Sequence, residues 1–197
     1  MVHHARGENT TVTRDDHRAL LGDGTGPAGG TWADLGSGSG HFTAALAEAL
    51  GPSAVIWSID RDARSLRDQE RRMRAGFPGL ALHLVCADFT GPLELPPLDG
   101  ALMANSLHFQ PDPRGTLVRV GGLLGPGGRL IIVEYDVDHG SPWVPYPVPW
   151  ERLPGVAMEA GFGPPRLIAT RPSRYHGRAY SAVLTRAGYA PRPATGT

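Results

Sequence analysis

The chain contains no lysine; all 19 of its basic residues are arginine, and 19 acidic residues leave a formal charge of zero. A neutral chain has no basic stripe with which to displace counterions from phosphates, so a nucleic-acid substrate is not expected. Cysteine is nearly absent too. Cys86 stands alone, which excludes an internal disulfide, and no Cys/His spacing suggests a structural zinc site. No apolar run approaches the roughly 20 residues that span a bilayer. The N-terminus carries His3, His4, Arg6, Asp15 and Asp16 where a secretory signal would be apolar. A soluble cytoplasmic protein in a reducing compartment follows, with no membrane association expected.

Glycine (27 residues) and proline (19 residues) are abundant, and both cluster between apolar runs, as turns do in a compact fold. At 197 residues, one domain is the default. Its expected span is 14–187, between a flexible N-terminal segment, 1–13, and a flexible tail, 188–197. A short helix is expected over Arg14–Leu21, and then a strand at Thr31–Leu35. From His41 to Leu50, Phe42, Ala45, Leu46 and Ala49 recur at helical steps, and Gly51 and Pro52 stop the helix. Ala54–Ile59 is an almost continuous apolar run ending on Asp60, which suits a strand covered on both faces.

The alternation continues with a helix over Asp62–Ala75 and strands at Ala81–Cys86 and Gly100–Ala104. A helix over Gly115–Leu124 and a strand at Arg129–Tyr135 follow, with Gly125-Pro126-Gly127-Gly128 between them as a turn. Cys86 falls inside an apolar strand and is expected in the core. After a helix near Glu151–Ala160, two strands at Arg166–Thr170 and Arg178–Thr185 are joined by only a short turn, Pro172–Gly177. A parallel return needs about a dozen residues, so these two strands should pair antiparallel as a hairpin. The expected architecture is α/β: a Rossmann-like doubly wound sheet of seven strands, mostly parallel, with a C-terminal antiparallel hairpin.

Chemistry concentrates where the first strand meets its helix. The loop Asp34-Leu35-Gly36-Ser37-Gly38-Ser39-Gly40 puts three glycines at alternate positions, where bare backbone lets a ligand lie close to a helix N-terminus. The loop does not fit the dinucleotide fingerprint G-x-G-x-x-G/A: counted from Gly36 the third small residue is replaced by His41, and counted from Gly38 by Thr43. A nicotinamide-dependent oxidoreductase therefore fits poorly, and without lysine the Tyr-x-x-x-Lys pair of one large dehydrogenase family is impossible. Asp60 lies 20 residues after Gly40, at the tip of the neighbouring strand.

Together with Asp88-Phe89 after the third strand, Asn105-Ser106-Leu107 after the fourth, and Leu124–Gly128 before the fifth, this string resembles class I S-adenosylmethionine-dependent methyltransferases over about Trp32–Thr185. The resemblance implies S-adenosyl-L-methionine as cofactor, with the loop of Gly36, Ser37, Gly38 and Gly40 beneath its methionine part. It places Asp34 near the ammonium group, directly or through water, Asp60 on the ribose hydroxyls, and Arg61 along the adenine. Asp88 would accept from the adenine amino group, the backbone of Phe89 would read the ring, and the carbonyls of Asn105 and Ser106 would hold the ammonium.

Methyl transfer from a positively charged sulfur asks the protein mainly for alignment and, for a hydroxyl or amine acceptor, for a base. His108 is the best placed candidate, four positions after the fourth strand; Glu134, Tyr135, Asp136, His139 and His176 are others. No Asp-Pro-Pro-Tyr element is present, which argues against exocyclic base amines as acceptors, and no Asp/Asp/Asn set suggests a metal. The expected reaction is in-line methylation of a small-molecule acceptor. The short stretch before the first strand supports a second reading, a noncatalytic S-adenosylmethionine-binding subunit of a partner enzyme. Ser141–Trp150, rich in proline and aromatic residues, either covers an apolar acceptor pocket or is a rigid connector.

Overall fold

The computed structural model of the protein describes residues 13–173 and 177–187. The segments 1–12 and 188–197, expected to be flexible, and residues 174–176, including His176, lie outside the described residues. The chain runs α1 (Arg14–Leu21), β1 (Thr31–Leu35), α2 (His41–Leu50), β2 (Val55–Asp60), α3 (Ala63–Gly76), β3 (Ala81–Cys86) and β4 (Leu98–Ala104). A single 3₁₀ turn at Leu107–Phe109 precedes α4 (Pro113–Leu123), β5 (Leu124–Tyr135), α5 (Leu153–Glu159), β6 (Arg166–Pro172) and β7 (Arg178–Thr185).

Helices α1, α3 and α4 begin where short polar side chains replace missing backbone partners. Thr13 and Asp16 form a reciprocal capping box on α1. Asp62 accepts from the amides of Arg64 and Ser65 at the start of α3, and Asp112 accepts from Gly115 ahead of Pro113 in α4. No helix among the described residues is long and apolar enough to cross a membrane.

The seven strands form one sheet in the order β3-β2-β1-β4-β5-β7-β6. The first five are mutually parallel; β7 pairs antiparallel with β5, and β6 antiparallel with β7, so the terminal hairpin enters the sheet through its second strand. Strand alternation then divides the core. Ala33, Leu35, Met103 and Ile132 pack on the face covered by α4 and α5, whereas Trp32, Leu102 and Ile131 pack beneath α1, α2 and α3.

Two sequence expectations need correction. Cys86 is exposed, because β3 is the free edge of the sheet and its outward positions meet solvent. The segment Gly125–Gly128 is not a turn ahead of a strand: β5 already pairs at Leu98↔Leu124, and the ladder resumes at Gly100↔Arg129, which makes the glycines an irregularity within one long strand.

Strand order reverses direction between β1 and β4, where the loops leaving the two strands diverge to opposite faces of the sheet. In open α/β sheets this switch point opens a crevice at the carboxyl ends of the strands. Here the loop after β1 is Gly36–Gly40, and the segment after β4 is Asn105-Ser106.

Candidate active site

The glycine loop is held by its neighbours and not by a side-chain cap. The amides of Gly36 and Ser37 donate to the Ile59 carbonyl at 2.9 and 3.1 Å, and the amide of Gly38 donates to Asp60 Oδ2 at 2.7 Å. Gly36, Gly38 and Gly40 all have positive φ (79°, 54° and 80°), a conformation that disfavours a Cβ. A Cβ on Gly36 would come within 2.7 Å of Ser106 Cβ and 3.3 Å of the Phe89 ring. The loops after β1, β3 and β4 therefore meet at Gly36. A Cβ on Gly38, by contrast, would meet nothing within 4 Å, so its backbone faces open space.

Asp60 closes β2 beside this loop. Its Oδ1 accepts from the amide of Asp62 at 2.8 Å while Oδ2 takes Gly38, and each oxygen keeps a further lone pair. The backbone of Asp60 also accepts from Ala87, which brings the Asp88-Phe89 segment alongside. Asp88 is exposed and folds back on itself: Thr90 donates to it through both hydroxyl and amide. Those bonds, and more weakly the Arg61 guanidinium, hold its carboxyl below the usual range. Arg61 is exposed, and its carbonyl receives the Cys86 thiol at 3.7 Å.

Beneath the loop lies a polar cluster that the sequence did not announce. Asp34 is buried, and its Oδ2 accepts from Thr43 Oγ1 at 2.6 Å. Burial pushes its carboxyl up to about 7, opposed by the Thr43 bond and reinforced by the Asp60 charge. Thr43 in turn accepts from Gln69 Nε2, and Gln69 Oε1 accepts from Ser37 Oγ. The Gln69 amide is wholly enclosed.

Across the switch point, Asn105 has a φ of 53°, the one positive value outside glycine among the described residues. Strain of this kind concentrates at functional sites. Its amide donates to the Val133 carbonyl, and the Ser106 hydroxyl donates to the Leu35 carbonyl at 2.7 Å, tying β4 to β1 at the crevice.

His108 lies in the 3₁₀ turn, 2% exposed, with Nδ1 at 2.5 Å from Glu134 Oε2 at the end of β5. Glu134 Oε1 takes the amides of Leu107 and His108 at 2.9 and 3.2 Å, so one buried carboxylate holds both the turn and the ring. When Nδ1 donates to this carboxylate, the neutral ring carries its lone pair on Nε2. Two other candidate bases are occupied or remote. Asp136 accepts from the Trp150 amide and pairs with Arg178, and His139 is exposed on the following loop.

The Pro/Trp-rich segment does two jobs. Val144 and Val148 are buried, and the Val148 carbonyl accepts from the Tyr180 hydroxyl, so part of it is a packed connector. The Tyr146 amide donates to the His108 carbonyl, and Phe109 and Tyr146 remain exposed around this turn.

The fit of S-adenosylmethionine can be judged from the chain's own atoms. Asp34 Oδ1 and Asn105 Oδ1 are buried acceptors with no hydrogen-bond partner among the described residues. A cationic ammonium, directly or through water, is the kind of donor they lack. The bare Gly38 backbone and the spare lone pairs of Asp60 complete a surface suited to the group.

A methyltransferase-domain family model matches residues 33–130, which include the glycine loop, Asp60, Asp88, Asn105 and His108. A 37.1 kDa protein of a Streptomyces fradiae transposon is 30% identical over 156 residues, 68% of this chain and 44% of that protein. A methyltransferase of Mycobacterium bovis is 35% identical over 103 residues, 52% of this chain and 49% of that protein. The chain thus spans about half the length of these curated relatives or less.

Among solved structures, a 1,6-didemethyltoxoflavin N1-methyltransferase of Burkholderia thailandensis superposes with a TM-score of 0.70 at 21% identity. The match covers 88% of this chain and 77% of that one. That likeness is one of fold. The family match across the strands that build the crevice identifies a methyltransferase domain in this chain, and the solved structure agrees with it in fold.

Proposed function

We propose that this chain, through a domain spanning residues 14–187, transfers a methyl group from S-adenosylmethionine to a small, flat, apolar acceptor bearing a hydroxyl or amine. The observation that carries this reading is the left-handed glycine loop at the β1/β4 switch point, with the Asp60 carboxylate on the amide of Gly38. Bound there, S-adenosylmethionine supplies a methyl group already activated on a positively charged sulfur. The Burkholderia neighbour was crystallised with S-adenosylhomocysteine and 1,6-didemethyltoxoflavin, a cofactor product and a small flat acceptor.

On this reading Asp60 accepts from the ribose hydroxyls, and Arg61, Asp88 and Phe89 border the adenine. The Gly36–Gly40 backbone underlies the methionine portion, and Asp34, with the Asn105 and Ser106 carbonyls, answers its ammonium. His108 Nε2 takes the acceptor's proton as the new bond forms, and Glu134 keeps the ring in the tautomer that can do so. Phe109 and Tyr146 present flat apolar surface around the turn that holds this base, which favours an aromatic acceptor over a charged polymer. The lone Cys86 is compatible with a reducing cytoplasm.

Calorimetric titration with S-adenosylhomocysteine tests the cofactor assignment: the unmodified protein should bind, and Asp60→Ala should weaken binding at least tenfold. Heat-silent titrations of the folded, unmodified protein would sink the reading. Transfer of labelled methyl to members of a phenol panel would then separate an enzyme from a binding subunit.

A further inference from the structure

We propose that Gln69 is a positioning residue for cofactor binding, its enclosed amide fixing the glycine loop from below. The inference rests on the cofactor reading above but concerns a residue outside the crevice lining.

Gln69 is completely buried on α3, yet every hydrogen-bonding position that matters is used. Its Oε1 accepts from Ser37 Oγ in the loop at 3.1 Å. The two Nε2 hydrogens go to Thr43 Oγ1 on α2 at 2.9 Å and to Ser58 Oγ on β2 at 2.6 Å. Thr43 then spends its own proton on Asp34 Oδ2 at the end of β1. One amide therefore links the loop to the three elements that flank it, β1, α2 and β2.

The direction of the chain is also specified. Thr43 has one proton and gives it to Asp34, so it must accept from Gln69, which makes that end of the amide the NH₂. The other end is then an oxygen and can receive the proton of Ser37. A rotated amide would put two donors against Ser37 and an oxygen between Thr43 and Ser58, breaking the sequence of bonds. Networks of this kind hold one arrangement when fully satisfied.

Shape reinforces the bonds. A Cβ at Gly40 would sit 2.4 Å from Gln69 Cγ and 2.8 Å from its Cδ, so the side chain runs directly under the last glycine before reaching Ser37. Gly40 is required by what lies below it, not by the ligand above. The loop's free backbone at Gly38 is thus carried on a rigid floor, and a preorganised loop loses less freedom when a ligand settles on it.

The test uses the full chain with S-adenosylhomocysteine as probe. Gln69→Leu keeps the bulk and removes every bond, and should raise Kd at least tenfold. Ser37→Ala should raise Kd several-fold. The double variant should be no worse than Gln69→Leu alone, because both substitutions cut the same link. Gln69→Glu retains an acceptor for Ser37 and should recover part of the affinity, more at pH 5.5 than at pH 8, where its charge is unwelcome in the cluster.

Independent, multiplying effects of Gln69→Leu and Ser37→Ala would overturn the positioning role, as would a folded Gln69→Leu that binds like the unmodified protein. Should Gln69→Leu fail to fold, the same cycle run between Ser37→Ala and Gln69→Met, which also keeps the bulk and removes every bond, decides the matter by the same criterion. An unmodified protein that binds no S-adenosylhomocysteine overturns the cofactor reading itself, so the two failures are distinct.

Discussion

The two sides of the crevice are built in opposite ways. On the β1–β2–β3 side, the polar groups beneath Gly36–Gly40 bond to one another, with only Asp34 Oδ1 left over among them, and all come from a stretch between Asp34 and Gln69. On the β4–β5 side, the site is assembled from distant pieces. Glu134 reaches back to Leu107 and His108, Tyr146 donates to His108, and Asn105 holds a left-handed conformation against Val133. The first side ends in bare backbone, and the second ends in exposed aromatic rings. On the proposed reading the first side meets the cofactor and the second the acceptor, and loops and rim residues are where acceptor preference can be set without disturbing a core.

The largest effect should come from the second side. His108→Gln should lower methyl transfer to a phenol found by screening roughly 10²–10⁴-fold, the span usual for loss of a general base, and leave S-adenosylhomocysteine binding within about twofold. Equal losses in turnover and cofactor affinity would show that the two sides are one unit and break the comparison.

Next comes a contrast within the glycine loop. Gly40→Ala drives a methyl into Gln69 at a positive φ and should cost on the order of 3 kcal/mol in chemical denaturation. Gly38→Ala meets only open space, so about 1 kcal/mol of backbone strain is expected, with cofactor affinity suffering more than stability. Similar denaturation midpoints for the two variants would remove the rigid floor from the account.

The smallest effect concerns Asp34. Its folded carboxyl is pushed up to about 7 by burial, above the ordinary aspartate value of 3.8, so the native state holds the proton more tightly than the unfolded chain. The stability it contributes is therefore complete below about pH 4 and is lost as pH rises towards 7. Relative to Asp34→Asn, the unmodified protein should lose on the order of 1 kcal/mol between pH 4 and pH 8, less than the full shift would give because the site relaxes around the charge. Thermal melts across that range that run parallel for the two proteins would contradict this sign.

Much of the first side was legible in the sequence. Alternating glycines between an apolar strand and an amphipathic helix, followed by an acid at the next strand's tip, are local signals, and the structure places Asp34, Gly36, Gly38, Gly40 and Asp60 together as those signals imply. The antiparallel terminal hairpin was legible for a similar reason: a connection that short permits nothing else. Gln69 was not. A polar residue at a helical step reads equally as the margin of a buried stripe, and only the simultaneous approach of Ser37, Thr43 and Ser58 makes burying an amide affordable.

Cys86 failed for a related reason, since an apolar strand does not reveal whether it will be central or at the edge. By itself, then, the sequence determined the alternation of strands and helices, the glycine turn and the acid that follows it, because periodicity and backbone freedom act within a few residues. The order of strands, the meeting of the β1, β3 and β4 loops at Gly36, the His108–Glu134 pair and the enclosed Gln69 amide were decided only in three dimensions. Each depends on atoms far apart in the chain whose partners are chosen by how the sheet closes its core.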